Sequence, residues 1–241
     1  MAGFKDQCEA IHDLVQAGKV RTWGVSNETP FGVTSFVRTA EFLELTRPSV
    51  VQNCYNMLVR NDFETGMHEA CCPSNCNVGL LAYSPLAGGA LTGKYMNAAD
   101  PGLEEARLHK YVGFMHRYLS DPARVAVQRY AEVAREFDLP LSVVALAWVY
   151  SRPFVTSTVV GASTTSQLRD NILALNLPVN DEMTALINAA YHKGVDPTKG
   201  IFEVRDPYRE YVDPSKLPWG AKDQDVDPEL DVLINQRLSK L

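Results

Sequence analysis

The sequence predicts an α/β fold with parallel strands, and three observations carry that expectation. Short apolar runs alternate with segments of helical spacing, in the order helix-strand-helix-strand-helix-strand-helix-helix-strand-helix-helix. Alternation of this kind implies parallel pairing through right-handed crossovers. Each strand run also empties into polar or glycine-rich residues, where parallel α/β folds place their sites. Finally, 241 residues with 46% apolar and 22% charged content are enough to bury a sizeable core.

Phe4, Cys8, Ile11 and Val15 recur at helical spacing, and Gly18 stops that helix as a left-handed cap. Lys19 to Val25 reads as the first strand, ending at Ser26-Asn27. A second helix runs from Pro30 to Leu45, anchored by Phe36, Val37, Ala40, Phe42 and Leu43, and Pro48 breaks it. Ser49 to Asn53 is a short strand, and a third helix spans Phe63 to Cys72, closed by Pro73. The third strand is Val78 to Tyr83, and the glycine-rich run to Lys94 follows it.

Met96 to Ser120 is too mixed to assign. Asp121-Pro122 then reads as an N-cap followed by proline at the first helical position, for a helix to about Phe137. Ser142 opens a nearly all-apolar helix that must be buried. Val155 to Ala162 holds the fourth strand. Thr165 or Ser166 caps a helix to Leu175, and Asn180-Asp181 caps the last core helix, through Tyr191. Residues 1–193 form the folded unit on this reading. Residues 194–241, punctuated by prolines and poor in aliphatics, read as an extended, partly disordered tail.

A net charge of −6 argues against nucleic acid as the main partner. No stretch reaches the length of a membrane span, and the N-terminus lacks a secretory pattern. Five cysteines without such a signal point to reduced thiols and a cytoplasmic setting. Cys71-Cys72-Pro73-Ser74-Asn75-Cys76 has no second Cys/His pair at zinc spacing, so a helix end with incidental thiols is its plainer reading.

The chemistry gathers at the strand ends. Asn27 and Gln52 carry amides that complement a nicotinamide carboxamide. Tyr83 offers a flat ring for the nicotinamide to stack on, fixing which face is open to hydride transfer. Backbone N–H groups around Ser84 to Gly89 suit a pyrophosphate, and Ser163 precedes a helix whose N-terminus favours a phosphate. Alone, Ser26-Asn27 reads as a helix cap, Gln52 as a strand-end polar residue, and Gly88-Gly89 as a turn. The weight lies in four consecutive strands ending this way.

Gly18-Lys19-Val20-Arg21-Thr22-Trp23-Gly24-Val25-Ser26-Asn27 resembles the "GK-R-x-x-GVSN" signature of the aldo-keto reductases. Val51 to Asn56 is similar to that family's "QxxYN" segment, and Ala82 to Tyr95 to its "YSPLAxGxLTGKY" run. Gly161-Ala162-Ser163 through Gln167-Leu168 to Asp170-Asn171 resembles its "GAS…QL…EN" motif. The resemblance covers residues 4–193 and is nearest the branch of bacterial reductases and potassium-channel β subunits.

It implies a (β/α)8 TIM-type barrel, of which about four parallel strands of the second half are present. It implies NADPH-dependent carbonyl reduction without metal. Ser26, Asn27 and Gln52 would hold the carboxamide and Tyr83 would stack on the nicotinamide. Ser84, Pro85, Leu86, Gly88 and Lys94 would surround the pyrophosphate, with Arg107 a looser match. Gly161, Ser163, Gln167, Asp170 and Asn171 would hold the adenosine end. Gln167 stands where many relatives have an arginine for the 2′-phosphate, which leaves NAD open beside NADP.

The family's catalytic tyrosine, aspartate, lysine and histidine come from earlier strands, so the expectation is a chain lacking the N-terminal catalytic half and contributing no catalytic residue. Its readings are then an incomplete reductase acting on a small carbonyl substrate, a non-catalytic nucleotide-binding or regulatory module, or a degenerate fragment. A half barrel would also expose strand edges and self-associate through them.

Overall fold

The computed structural model describes residues 2–97, 102–111 and 115–193. The 194–241 tail expected from composition lies outside these residues.

Local chemistry accounts for most element ends. Helix α1 (Phe4–Gln16) stops at Ala17, and Gly18 follows with φ +70°. Strand β1 covers only Gly24–Ser26, shorter than the expected run from Lys19. Thr29 caps α2 (Pro30–Phe42) by accepting from the Gly32 N–H at 3.2 Å, with proline in the first turn. Val33, Phe36, Val37 and Ala40 form its buried stripe; Phe42, expected as an anchor, is 86% exposed.

Strand β2 is Val50–Cys54. The single helix expected next is two short ones, α3 (Asn61–Glu64) and α4 (Gly66–Cys71), broken at Thr65, whose ψ of −128° is not helical. Strand β3 is Gly79–Tyr83. The unassigned stretch contains a 3-10 turn over Leu103–Glu105, helix α5 (Arg107–Lys110) and a second 3-10 turn over His116–Leu119.

Helix α6 (Asp121–Glu136) is capped by Ser120, not Asp121. The Ser120 hydroxyl accepts from the Ala123 N–H, which moves Asp121 and Pro122 into the first turn. The apolar helix α7 (Leu141–Tyr150) is buried, as its composition demands. Strand β4 (Val155–Thr158) stops well short of Ala162. Thr164 caps α8 (Thr165–Leu173), one residue before the expected cap, and Asn180 caps α9 (Asp181–His192) as expected.

The four strands lie in the order β1-β2-β3-β4, all parallel. Register places Ser26 beside Gln52, Gln52 beside Leu81, and Cys54 beside Tyr83. Because strand side chains alternate, the sheet has two unlike faces. Val51, Leu80 and Ala82 point into one core with Val33 and Val37 of α2, Met67 and Cys71 of α4, and Val144 and Trp148 of α7. On the other face Gly24 and Ser26 are exposed, and Gln52, Leu81 and Tyr83 are half-exposed. A sheet wound in one direction and covered by helices on one side is half of a (β/α)8 barrel, as the resemblance implies.

A buried polar clamp ties the last helix to the loop after β2. Arg60 is bidentate on Glu64 at 2.9 and 3.0 Å, and donates to Asn188 Oδ1 of α9 at 2.9 Å. Its guanidinium lies over the Trp148 and Tyr191 rings at 4.9 and 4.5 Å. Tyr55 donates to Glu64 at 2.6 Å and stacks on Trp148.

Candidate functional site

The C-terminal ends of the four parallel strands form one edge of the sheet, and three of the expected groups meet there. Tyr83 donates its phenol to Asn27 Oδ1 at 2.7 Å, bridging the ends of β3 and β1. Ser26 Oγ and the Asn27 N–H both bond the Gln52 carbonyl, at 3.1 and 3.0 Å. Asn27 reaches this position with φ +55°, a left-handed conformation that asparagine tolerates. Gln52 and Tyr83 project from the same open face, Gln52 beside Leu81 and Tyr83 beside Cys54 in register, and the Tyr83 ring remains half-exposed.

Burial, then the nearby Cys54, pushes the Tyr83 phenol above its ordinary range, while Arg117 pulls it back down. At neutral pH the ring is a neutral donor aimed at Asn27.

The glycine-rich loop departs from simple expectation. Ser84, Ala87, Gly88, Gly89 and Gly93 all have positive φ, so the backbone coils tightly over Ala87–Thr92. The coil uses some of its own donors: the Ala87 N–H bonds Ser84 and the Gly89 N–H bonds Leu86, each at 2.8 Å. Gly89 is needed for more than its φ of +99°. A Cβ there would meet Lys94 Cε at 2.9 Å and Nζ at 3.0 Å. The absent side chain therefore lets the Lys94 ammonium fold back over the loop, 5.1 Å from the Tyr95 ring. Pro85 is buried, and Leu86 is half-buried against the core.

The segment after β4 stays on the same edge through the Val159 N–H, which bonds the Ala82 carbonyl at 2.8 Å. Its further bonds are local. The Ser163 N–H donates to Gln167 Oε1 at 2.8 Å, so Gln167 reaches back past the Thr164 cap and holds the residue before its helix. Gly161, Ser163, Gln167 and Asp170 are exposed. Asn171 is 5% exposed and points back to the Gly161 carbonyl at 3.5 Å, which makes it a brace for the segment. Asn27, Gln52 and Tyr83 are brought into one group. Ser163, Gln167 and Asp170 share their sheet edge without a bond to that group.

The sequence reading missed a polar network behind this edge. Asn56 is fully buried; its Nδ2 donates to the Ser84 carbonyl at 3.0 Å and to Tyr118 Oη at 3.1 Å. Its Oδ1 accepts from the Leu58 and Val59 N–H groups at 2.9 and 3.0 Å. Tyr118 Oη lies 3.2 Å from Cys54 Sγ, and Arg117 reaches both. Burial pushes Cys54 and Tyr118 up, so both stay protonated. Asn56 was visible within its motif. Arg117 and Tyr118 lie in the unassigned stretch, where no pattern announces their long-range contacts. Among the described residues, no cluster of three or more His, Cys, Asp or Glu side chains could hold a metal ion. No helix among them is long and apolar enough to cross a membrane.

Comparison with known proteins agrees with this architecture. Residues 3–192 match the model of the "Aldo/keto reductase family". The chain is 41% identical over 199 residues to an "Aldo-keto reductase" of Babesia bovis, covering 81% of this chain and 70% of that protein. It is 39% identical over 187 residues to "Protein tas" of Escherichia coli, covering 77% of this chain and 52% of that protein. A "Probable voltage-gated potassium channel subunit beta" of Arabidopsis thaliana is 32% identical over 174 residues, again covering 52% of its length. The chain thus spans about half the length of the latter two relatives. By its sheet, its strand-end motifs and these matches, the chain belongs to the aldo/keto reductase family.

Proposed function

We propose that this chain binds a nicotinamide dinucleotide along the C-terminal edge of its sheet and serves as the cofactor side of a carbonyl reductase. The Tyr83–Asn27 bond at 2.7 Å, with Gln52 beside it on the open face, carries the reading. These residues fit the group: a half-exposed ring lies flanked by two amides, next to a loop whose Gly89 lacks the Cβ that would block Lys94. Tyr83 would hold the nicotinamide by stacking, and Ser26, Asn27 and Gln52 would orient its carboxamide. Ser84, Pro85, Leu86, Gly88 and Lys94 would lie along the pyrophosphate. Gly161, Ser163, Gln167 and Asp170 would meet the adenosine end, with Asn171 bracing them.

When bound, such a cofactor supplies a hydride to a carbonyl carbon, and the carbonyl oxygen needs a proton from an acid. Tyr118, the phenol of the network behind the strand ends, is 1% exposed and bonded to Cys54, Asn56 and Arg117. It is held too tightly to serve. In this proposal the described residues contribute no catalytic group, and turnover requires an acid from outside them. NADPH is the preferred dinucleotide and NAD the second. The five free thiols fit a cytoplasmic setting.

Titration of NADPH into the purified chain, read by nucleotide fluorescence, tests the binding. A shift and quench that saturate support it, and an unchanged spectrum at millimolar nucleotide rejects it. Following absorbance with an added aldehyde separates a reductase from the alternative, a binding or regulatory module, for which the tight bonding of Tyr118 speaks. A dead fragment would neither bind nor turn over.

The open sheet face and the outer edges of β1 and β4, unpaired among the described residues, also support self-association. Val159, Leu168, Ile172, Leu173 and Leu175, all on or after the β4 side, are between 44% and 62% exposed. Sizing with light scattering is expected to show species larger than a monomer, and a monodisperse monomer of high thermal stability would contradict this.

A further inference from the structure

Helices α6 and α9 pack together and leave an open groove of about 350 Å³ between them. Its floor is apolar. Val133, Leu186 and Ala190 belong to the main core, and Val125 is 47% exposed. Arg129, Glu132 and Glu136 stand along the α6 side, and Lys193 lies on the α9 side. On α6 the lining recurs every three or four residues from Val125 to Glu136, a run of about 16 Å. No strand-end residue lines it, so the groove is separate from the nucleotide edge. A long apolar floor between charged banks is the form that takes an amphipathic helix.

The chain carries a segment of matching form. Leu230, Leu233, Ile234, Leu238 and Leu241 fall on one stripe at helical spacing. Asp227-Pro228 supplies a cap and a first-turn proline. Glu229 and Asp231 place acid at the start, and Arg237 and Lys240 place base at the end, as the helix dipole favours. From Leu230 to Leu241 such a helix spans about 16 Å, the length of the α6 lining. A helix this short is marginal in water unless its stripe is buried.

Connection and charge choose between this segment and a foreign one. Lys193 lines the groove, and residues 194–241 continue from it. As a flexible tether residues 194–229 would reach about 30–35 Å, enough to return the segment to the groove at about millimolar effective concentration. Along α6 basic Arg129 precedes acidic Glu132 and Glu136, whereas the segment is acidic first and basic last. Laid parallel to α6 with Leu230 beside Val125, it turns its acidic start toward Arg129 and sets Arg237 beside Glu132. The reverse direction would oppose like charges.

We propose that residues 228–241 dock as an amphipathic helix in the α6–α9 groove, parallel to α6, and clasp α9 to the body of the fold. Because α9 carries Asn188, the partner of Arg60, the clasp also steadies the buried clamp.

Hydrogen-exchange mass spectrometry on the full chain, without nucleotide, is the test. Amides of residues 230–241 are expected to exchange at least about tenfold slower than those of an unstructured segment. Ile234→Ser should remove most of that protection, the scale of one buried aliphatic side chain, and should speed exchange in α9. Glu132→Arg and Arg237→Glu should each lower it about threefold, and the two together should restore it, which guards against a folding defect in either single variant. Unprotected amides over 230–241 in the parent overturn the proposal. So does protection that Glu132→Arg leaves unchanged, because the segment would then dock elsewhere. Protection that rises with protein concentration overturns it too, since the groove filled would be that of a second copy.

Discussion

Tyr83 is the residue whose replacement separates stacking from orientation. Its ring is half-exposed on the open face, and its hydroxyl is spent on Asn27 at 2.7 Å. Tyr83→Ala removes the platform; stacking of a ring on an aromatic side chain is worth about 1–3 kcal/mol, so NADPH affinity should fall about 5- to 150-fold. Tyr83→Phe keeps the platform and removes one neutral hydrogen bond, with a net effect of about 0.5–1.5 kcal/mol, or about 2- to 12-fold. The Phe variant also releases the Asn27 side chain from the phenol, while its N–H stays on the Gln52 carbonyl. The assay is fluorescence titration of NADPH, with melting curves to confirm that both variants fold. An alanine variant that binds as tightly as the parent, or a phenylalanine variant weaker than the alanine one, would refute the stacking role.

Three further outcomes follow from the packing. Arg60→Ala should destabilise the chain by about 3 kcal/mol, because Glu64 and Asn188 lose their buried partner; thermal unfolding measures it, and a change within error would show the clamp to be idle. Ser120→Ala should cost about 1 kcal/mol and Asp121→Ala only a few tenths in urea denaturation, since the Ser120 hydroxyl makes the cap; the reverse order would return the cap to Asp121. Burial, then Cys76 and Cys72, pushes the Cys71 thiol up to about 11 from its ordinary 9.0. A raised thiol stabilises the fold fully below pH 9.0 and loses that contribution as pH rises through about 11. Urea midpoints in reductant should therefore decline over that window, and less so in Cys71→Ala; parallel declines in the two proteins would exclude Cys71 as the cause.

Where a single local rule decides structure, the sequence was readable. Alternation of apolar runs with helical spacing, together with the polar strand ends, sufficed for the parallel sheet, and Asn180 and Gly18 marked their helix ends by ordinary cap chemistry. Misreadings fell where two rules compete. Ser120 and Asp121 are both good caps, and only the chain direction after Ser120, extended with ψ 155°, chooses between them. Phe42 carries the apolar signal of a core residue but falls after the last buried turn of α2. The helix expected through Cys72 breaks at Thr65, where the following Gly66 is the one mark of the break in the sequence.

At the site, Asn27, Gln52 and Tyr83 were legible because strand ends follow from strand pattern. Asn171 looked the same in sequence yet turns inward to Gly161. The Arg117–Tyr118–Cys54 network was not legible, since it joins residues far apart in the chain.

The strand order has a bearing on how the molecule is made. Among the described residues each strand lies beside the one synthesised just before it, so these four can pair in the order in which they leave the ribosome. The join from β1 to β2 crosses α2, and the join from β2 to β3 crosses the short α3 and α4. The join from Tyr83 to Val155 must gather the glycine coil, the Arg117 turn and two long helices first, and it carries the greatest loss of chain freedom. The last of these four strands is therefore the one whose connection also delivers Arg117 and Tyr118 to Cys54, behind the strand ends.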